Sequence, residues 1–199
     1  MKKFYITIAR EYGSGGRLVG QKLAEELGIS FYDKELISNV AKEMGIDEDS
    51  QDPSESHTAF FFYNVYGYPD THLPDVIYSA ESNAIRSIAA KESAVFIGRN
   101  ASNVLEDFDN VIRIFIHAPI EYRMDIAKRL YNDTEEEAKK KIDTIDGGRA
   151  EYTRLFSNKR WRDLRNYSLS INSEIGIDDT VDVAKSFINS YLNNVLQKD

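Results

Sequence analysis

Four small residues, Gly13-Ser14-Gly15-Gly16, stand between two arginines, Arg10 and Arg17, close to the start of the chain. Glycines let backbone N–H groups converge on an anion, and a helix that begins after them adds unpaired donors and its positive dipole end. The chemistry suited to such a turn is the holding of phosphate; a tight turn and nothing more is the other reading. The spacing comes close to the phosphate-loop pattern G-x-x-x-x-G-K-[ST] without matching it. With Gly15 as the second glycine, Arg10 takes the place of the first, Gly16 that of the lysine and Arg17 that of the hydroxyl. The anion seat survives in this pattern, whereas the ammonium and the Mg²⁺-binding hydroxyl do not.

Three further groups have chemistry-bearing types. Asp33 follows the apolar run Ile29-Ser30-Phe31-Tyr32 and precedes a helical stretch, so it serves as an N-cap, alone or together with a role at a site. Gly98-Arg99-Asn100 closes another apolar run, and a guanidinium there can grip a phosphate in bidentate fashion, or else make a surface ion pair. Between residues 149 and 165, Arg149, Arg154, Lys159, Arg160, Arg162 and Arg165 face only Glu151 and Asp163. Preceded by the hinge-like Asp146-Gly147-Gly148-Arg149, this segment reads as a mobile cationic cover over phosphates, or as a solvated helix face. His57, His72 and His117 share no metal-ligand spacing.

The elements that must position these residues follow from periodicity. Apolar, β-branched runs predict strands over Phe4–Ala9, Ile29–Asp33, Ser93–Ile97, Val111–Ile116 and Tyr167–Asn172. Helical spacing predicts a helix after Gly16 that ends at Gly28, then helices over Lys34–Met44 and Asp75–Lys91, one opened by Pro119, one opened by the capping box Thr134-Glu135-Glu136-Glu137, and a last one capped by Asp178. The glycine turn, Asp33 and Arg99 each fall at the carboxyl end of a strand, where parallel sheets bind ligands. Residues 45–75 lack periodicity and carry the cluster Phe60-Phe61-Phe62-Tyr63, Tyr66 and Tyr68, which reads either as a binding insert able to stack on a base or as packing against the body.

Composition narrows the classes. The chain has 199 residues with a net charge of −8 and no cysteine. It fits one globular domain with neither disulfides nor a thiolate metal site, and the expectation is a cytoplasmic protein. No apolar run is long enough to span a membrane, and an acidic chain is not expected to bind nucleic acid. Such a chain must concentrate its cations locally to hold an anionic ligand.

The segments Ile8-Ala9-Arg10-Glu11-Tyr12-Gly13-Ser14-Gly15-Gly16-Arg17, Tyr32-Asp33-Lys34-Glu35-Leu36-Ile37 and Ile97-Gly98-Arg99-Asn100-Ala101, with Arg149, Tyr152, Trp161, Tyr167 and Asn172, resemble the cytidylate kinase-like family. The resemblance implies an α/β P-loop kinase fold of three layers, α/β/α, around a five-stranded parallel sheet. It divides a single domain into a core (1–44, 76–145 and 166–199), a monophosphate-binding insert (45–75) and an arginine-rich lid (146–165). It implies ATP and Mg²⁺, with Gly13, Ser14, Gly15, Gly16 and Arg17 on the donor phosphates and Arg123 and Arg129 near the donor nucleotide. Asp33 would sit near the metal or the acceptor, Arg99 would grip the acceptor phosphate, and Arg149 and Arg160 would come from the lid. Catalysis would rest on Arg17, Asp33, Arg99 and Arg149, and Arg17, Arg10 or a lid arginine would supply the missing lysine's charge. The activity implied is transfer of the ATP γ-phosphoryl to a nucleoside monophosphate such as CMP or dCMP. Two alternatives stand beside it: a nucleotide-binding regulator that has lost catalysis, and a kinase of some other small metabolite.

Overall fold

The computed structural model describes residues 2–43 and 73–194. Most of the insert expected at 45–75, including its aromatic cluster, lies outside the described residues, as do His57 and His72. Five strands, β1 (Tyr5–Arg10), β2 (Ser30–Tyr32), β3 (Ala94–Ile97), β4 (Val111–His117) and β5 (Leu169–Asn172), form one sheet in the order β2-β3-β1-β4-β5, and every pairing is parallel. Parallel neighbours need long crossovers. The described residues supply seven α-helices for them: α1 (Gly16–Leu27), α2 (Lys34–Glu43), α3 (Leu73–Lys91), α4 (Ala101–Val104), α5 (Ile120–Tyr131), α6 (Glu135–Ser157) and α7 (Ile177–Asn194).

Alternation along the strands sorts the two faces. Ile6 and Ile8 join Val95, Ile97, Ile112, Ile114, Ile116 and Ile171 on one face, under Val19 and Leu23 of α1 and Val181, Ala184 and Ile188 of α7. Tyr5, Phe96 and Val111 face the other way, under Ile37 and Ala41 of α2 and Ala80, Ala84, Ile85 and Ile88 of α3. On this second face β1 carries only Thr7 and Ala9 toward its carboxyl end. Small residues there leave room above the sheet, and that room becomes the site. Because β3 and β4 flank β1 on opposite sides, the chain changes direction across the sheet at β1, the place where open α/β sheets leave a crevice.

Helix ends mostly follow the sequence expectations. Gly28 ends α1 in the left-handed conformation, its amide donating to Ala24 and Glu25 carbonyls. Thr134 and Glu137 form the expected reciprocal capping box at α6. Thr134→Ala removes one half of that box and is expected to cost about 1 kcal/mol, read as a fall in melting temperature of roughly 2–4 °C; an unchanged melting curve would show that the box adds nothing.

Two expectations are corrected. Asp178 does not cap the last helix; it lies within the first turn of α7 and pairs with Lys22. The hinge at Asp146-Gly147-Gly148-Arg149 is no break, because α6 runs through it without interruption to Ser157. Glycine costs only about 1 kcal/mol in a helix interior. Buried contacts on either side, Ala138 and Ile142 before and Tyr152 after, together with the anchoring of Asp146, outweigh that cost.

Candidate functional site

Glu11 to Arg17 carry the chain from the end of β1 into α1. Gly13 and Gly15 both take positive φ, 76° and 73°. A Cβ at Gly13 would overlap the backbone carbonyl of Arg123, so the loop is seated against α5 and admits only glycine there. Ser14 is fully buried; its hydroxyl donates to the Glu11 carbonyl, and its own carbonyl accepts from the Ser173 hydroxyl at 2.7 Å. Ser14 is therefore a staple of the loop. At the N-cap, Gly15 offers no side chain, so the first amides of α1, from Gly16 to Leu18, keep the open donor character of a helix start.

Behind the loop lies a buried ionic network that no motif announces. The Asp146 carboxylate accepts from the Tyr12 amide at 2.8 Å, from Arg123 at 2.6 Å, from Arg149 at 3.2 Å and from Arg162 at 3.3 Å. Glu11 accepts from the Ala118 amide at 3.3 Å and pairs with Arg162 at 2.9 Å and with Arg123 at 3.5 Å. Burial pushes the Asp146 carboxyl above its ordinary range, opposed by the Tyr12 amide and by Arg149 and Arg123. Helix α6 is thus fastened to the phosphate loop in its middle, where a hinge was expected.

The other expected residues fall into three groups. Arg17 and Asp33 are together: Arg17 Nε and Nη2 donate to one Asp33 oxygen at 2.9 and 2.7 Å, while the other accepts from the Leu36 amide at 3.2 Å and so caps α2. Arg99 forms a pair with Glu81 of α3, which is completely buried, and Tyr152 also donates to Glu81 at 3.4 Å. Arg129 and Arg160 are exposed, and neither lines the cavity described next.

A cavity of about 340 Å³ opens over Thr7 and Ala9. Its walls are the β3–α4 turn and the Ile145–Thr153 stretch of α6, with Trp161 and Tyr167 closing it. Arg10, Lys34, Arg99, Arg113, Arg149 and Lys159 line it, and among the described residues no carboxylate does. In a chain of net charge −8 this is a local concentration of cations, although Arg99, Arg149 and Lys159 are paired with Glu81, Asp146 and Glu106 behind the lining. Two polar atoms in the cavity wall, Thr7 Oγ1 and Asn100 Nδ2, are buried without a hydrogen-bond partner among the described residues. At the turn, Gly98, Arg99 and Asn100 adopt φ of 72°, 51° and 55° in succession. Two consecutive non-glycine residues in the left-handed region are strain held in place by their surroundings, of the kind that gathers at ligand sites.

Glu11, Glu81 and Arg113 escaped the sequence reading, although two left a trace. Glu81 falls on the apolar stripe of α3 with Ile77, Ala84 and Ile85, and Arg113 interrupts the isoleucine run of β4. A charge where periodicity asks for an apolar side chain was the available signal.

A model of the cytidylate kinase-like family matches residues 5–175. The chain belongs to this family. Among curated proteins, no sequence is significantly similar to this family member. A solved structure described as an uncharacterized protein from Eubacterium ventriosum is 28% identical, with a TM-score of 0.75, over 94% of this chain and 99% of that one. Shikimate kinase from Acinetobacter baumannii, in complex with shikimate, is 15% identical with a TM-score of 0.54, over 98% and 97%. A gluconokinase from Sinorhizobium meliloti is 14% identical with a TM-score of 0.59, over 96% and 95%. The last two show a shared kinase fold. As a member of the cytidylate kinase-like family, the chain joins a group whose fold serves phosphoryl transfer.

Magnesium finds little to hold it. Asp33, the residue expected for it, has both oxygens engaged, and Arg17 stands where the loop hydroxyl would be. No group of three or more His, Cys, Asp or Glu among the described residues could hold a metal ion. Among the described residues there is thus no full protein ligand set for Mg²⁺, and an ion there would be held mainly by nucleotide phosphates and water. No described helix is long and apolar enough to cross a membrane.

Proposed function

We propose that the protein is a phosphotransferase that moves the γ-phosphoryl of ATP to a small anionic acceptor, most plainly a nucleoside monophosphate such as CMP or dCMP. The observation that carries this is the cavity lined, among the described residues, by six cations and no carboxylate, which shares Arg10 with the phosphate loop. Donor phosphates rest on the open amides from Gly16 to Leu18. The acceptor phosphate enters the cavity beside Arg99 and Arg149. Phosphoryl transfer asks mainly for positioning and for charge to offset the transferring group, and an acceptor phosphate needs no strong base.

A second reading, a nucleotide-binding regulator without turnover, is favoured by Gly16 at the lysine position and by the carboxylates of Glu11 and Asp146 already paired with Arg123 and Arg162. One experiment separates the two. The protein is incubated with ATP and magnesium and with CMP, dCMP, UMP, AMP and GMP in turn, and nucleoside diphosphate is measured alongside ATP binding. The expected result is diphosphate from at least one pyrimidine acceptor. ATP binding without product from any of the five would overturn the nucleoside monophosphate kinase reading and favour the regulator over it.

A further inference from the structure

Two departures from the phosphate-loop pattern, an arginine in place of the first glycine and a glycine in place of the lysine, meet in space. A Cβ placed on Gly16 would lie 2.6 Å from Arg10 Cβ and 3.1 Å from Arg10 Cγ. Long side chains cannot occupy both positions, and position 10 is the one filled. From there the Arg10 side chain crosses to the β3–α4 turn, where a Cβ on Gly98 would overlap its Nη1. Gly16 clears the base of Arg10, and Gly98 clears its tip.

The charge at that tip has no carboxylate partner among the described residues; Arg113, the other cavity arginine without one, donates to the Ser102 carbonyl instead. Arg99 is matched by Glu81 and Arg149 by Asp146. Arg10 makes no ion pair with any carboxylate among the described residues, and it lines the cavity between those two arginines. Burial, with Arg149 and Arg99 as neighbours, works against its positive charge. An anion arriving there relieves that repulsion, and a half-buried guanidinium offers it a rigid fork of donors. Of the other candidates for the lysine's charge, Arg17 is turned to Asp33 and the lid's Arg149 to Asp146.

We infer that Arg10 is the phosphate-binding cation of the loop: the positive charge has moved from the start of α1 to the end of β1, and Gly16 and Gly98 are glycine so that it can pass. This rests on the phosphotransferase reading for the identity of the anion, a nucleotide polyphosphate, but not for the site itself.

The test is calorimetric titration of the full chain with ATP and, separately, with inorganic tripolyphosphate. Wild type, Arg10→Ala, Arg10→Gly and the double variant Arg10→Gly/Gly16→Lys are compared, each with its melting curve. Losing a buried charge-assisted pair weakens binding roughly 10–100-fold. We expect that loss for both ligands in Arg10→Ala and Arg10→Gly, with melting temperatures close to wild type, and recovery of most of it when lysine is restored at 16. Binding by Arg10→Ala within about threefold of wild type overturns the inference, as does a double variant no tighter than Arg10→Gly. Wild type binding tripolyphosphate but not ATP, with the loss still seen in Arg10→Ala, leaves Arg10 in place and removes the ATP reading. Binding of neither ligand by wild type overturns both.

Discussion

Asp146→Ala is expected to destabilise the protein by about 3–5 kcal/mol, the cost of leaving a buried charge without its partner. For a domain of this size the melting temperature should fall by roughly 10 °C, read by circular dichroism. The reason is the number of groups that converge on one carboxylate. Arg123 is only 7% exposed and donates to Asp146 at 2.6 Å. Its remaining carboxylate, Glu11, lies at 3.5 Å. Removing Asp146 also frees the Tyr12 amide, which fixes the entry to the phosphate loop. Asp146→Asn separates these contributions: an amide oxygen can still accept from Tyr12 but cannot neutralise Arg123, so Asn should recover only part of the loss. If Asp146→Ala melts within about 2 °C of wild type, less than 1 kcal/mol for such a domain, the network is not holding α6 to the loop.

The same network explains which parts of the molecule were legible in the sequence. Strands announced themselves because each is a short apolar run closed by glycine or a polar residue, as in Ala94–Ile97 before Gly98. The order of elements and the glycine turn then fixed where a ligand had to sit. What failed was the local reading of Asp146-Gly147-Gly148-Arg149. Two glycines in a row suggest a hinge by composition, yet the decision lay with Tyr12, Arg123 and Arg162, distant in sequence and invisible to any window around residue 147. The destinations of the arginines were hidden for a related reason. Types and spacing show that Arg17 and Arg99 stand at strand ends; they do not show that Asp33 and Glu81 wait opposite. The cavity floor was closer to legible. In Tyr5–Arg10 the residues facing one way are isoleucines, while Thr7 and Ala9 face the other. That asymmetry marks a half-empty face, which a single apolar run conceals.

Arg149→Ala is expected to do the opposite of Asp146→Ala, leaving the fold and removing the function. Arg149 Nη1 donates to the Arg10 carbonyl at 2.9 Å and to Asp146 at 3.2 Å, and the residue lines the cavity. Asp146 keeps Arg123 at 2.6 Å when Arg149 is gone, so no buried charge loses its nearest partner and melting should shift little. A guanidinium that offsets charge on a transferring phosphoryl group is worth roughly 10³-fold or more in turnover. With whichever monophosphate the wild type accepts, kcat/KM should fall by about that factor, and mostly in kcat, because the group acts on charge that develops during transfer. Arg149→Lys keeps one charge but not the fork that reaches the Arg10 carbonyl and the cavity together, so it should recover only part of the rate. The pair of variants tells a catalytic arginine from a merely structural one. A structural role predicts equal losses in melting temperature and rate, with lysine restoring both; a role on the transferring group predicts a rate loss at nearly constant stability. Turnover by Arg149→Ala within about tenfold of wild type, 1.4 kcal/mol on the barrier, would remove Arg149 from the chemistry and leave Arg10 and Arg99 to carry it.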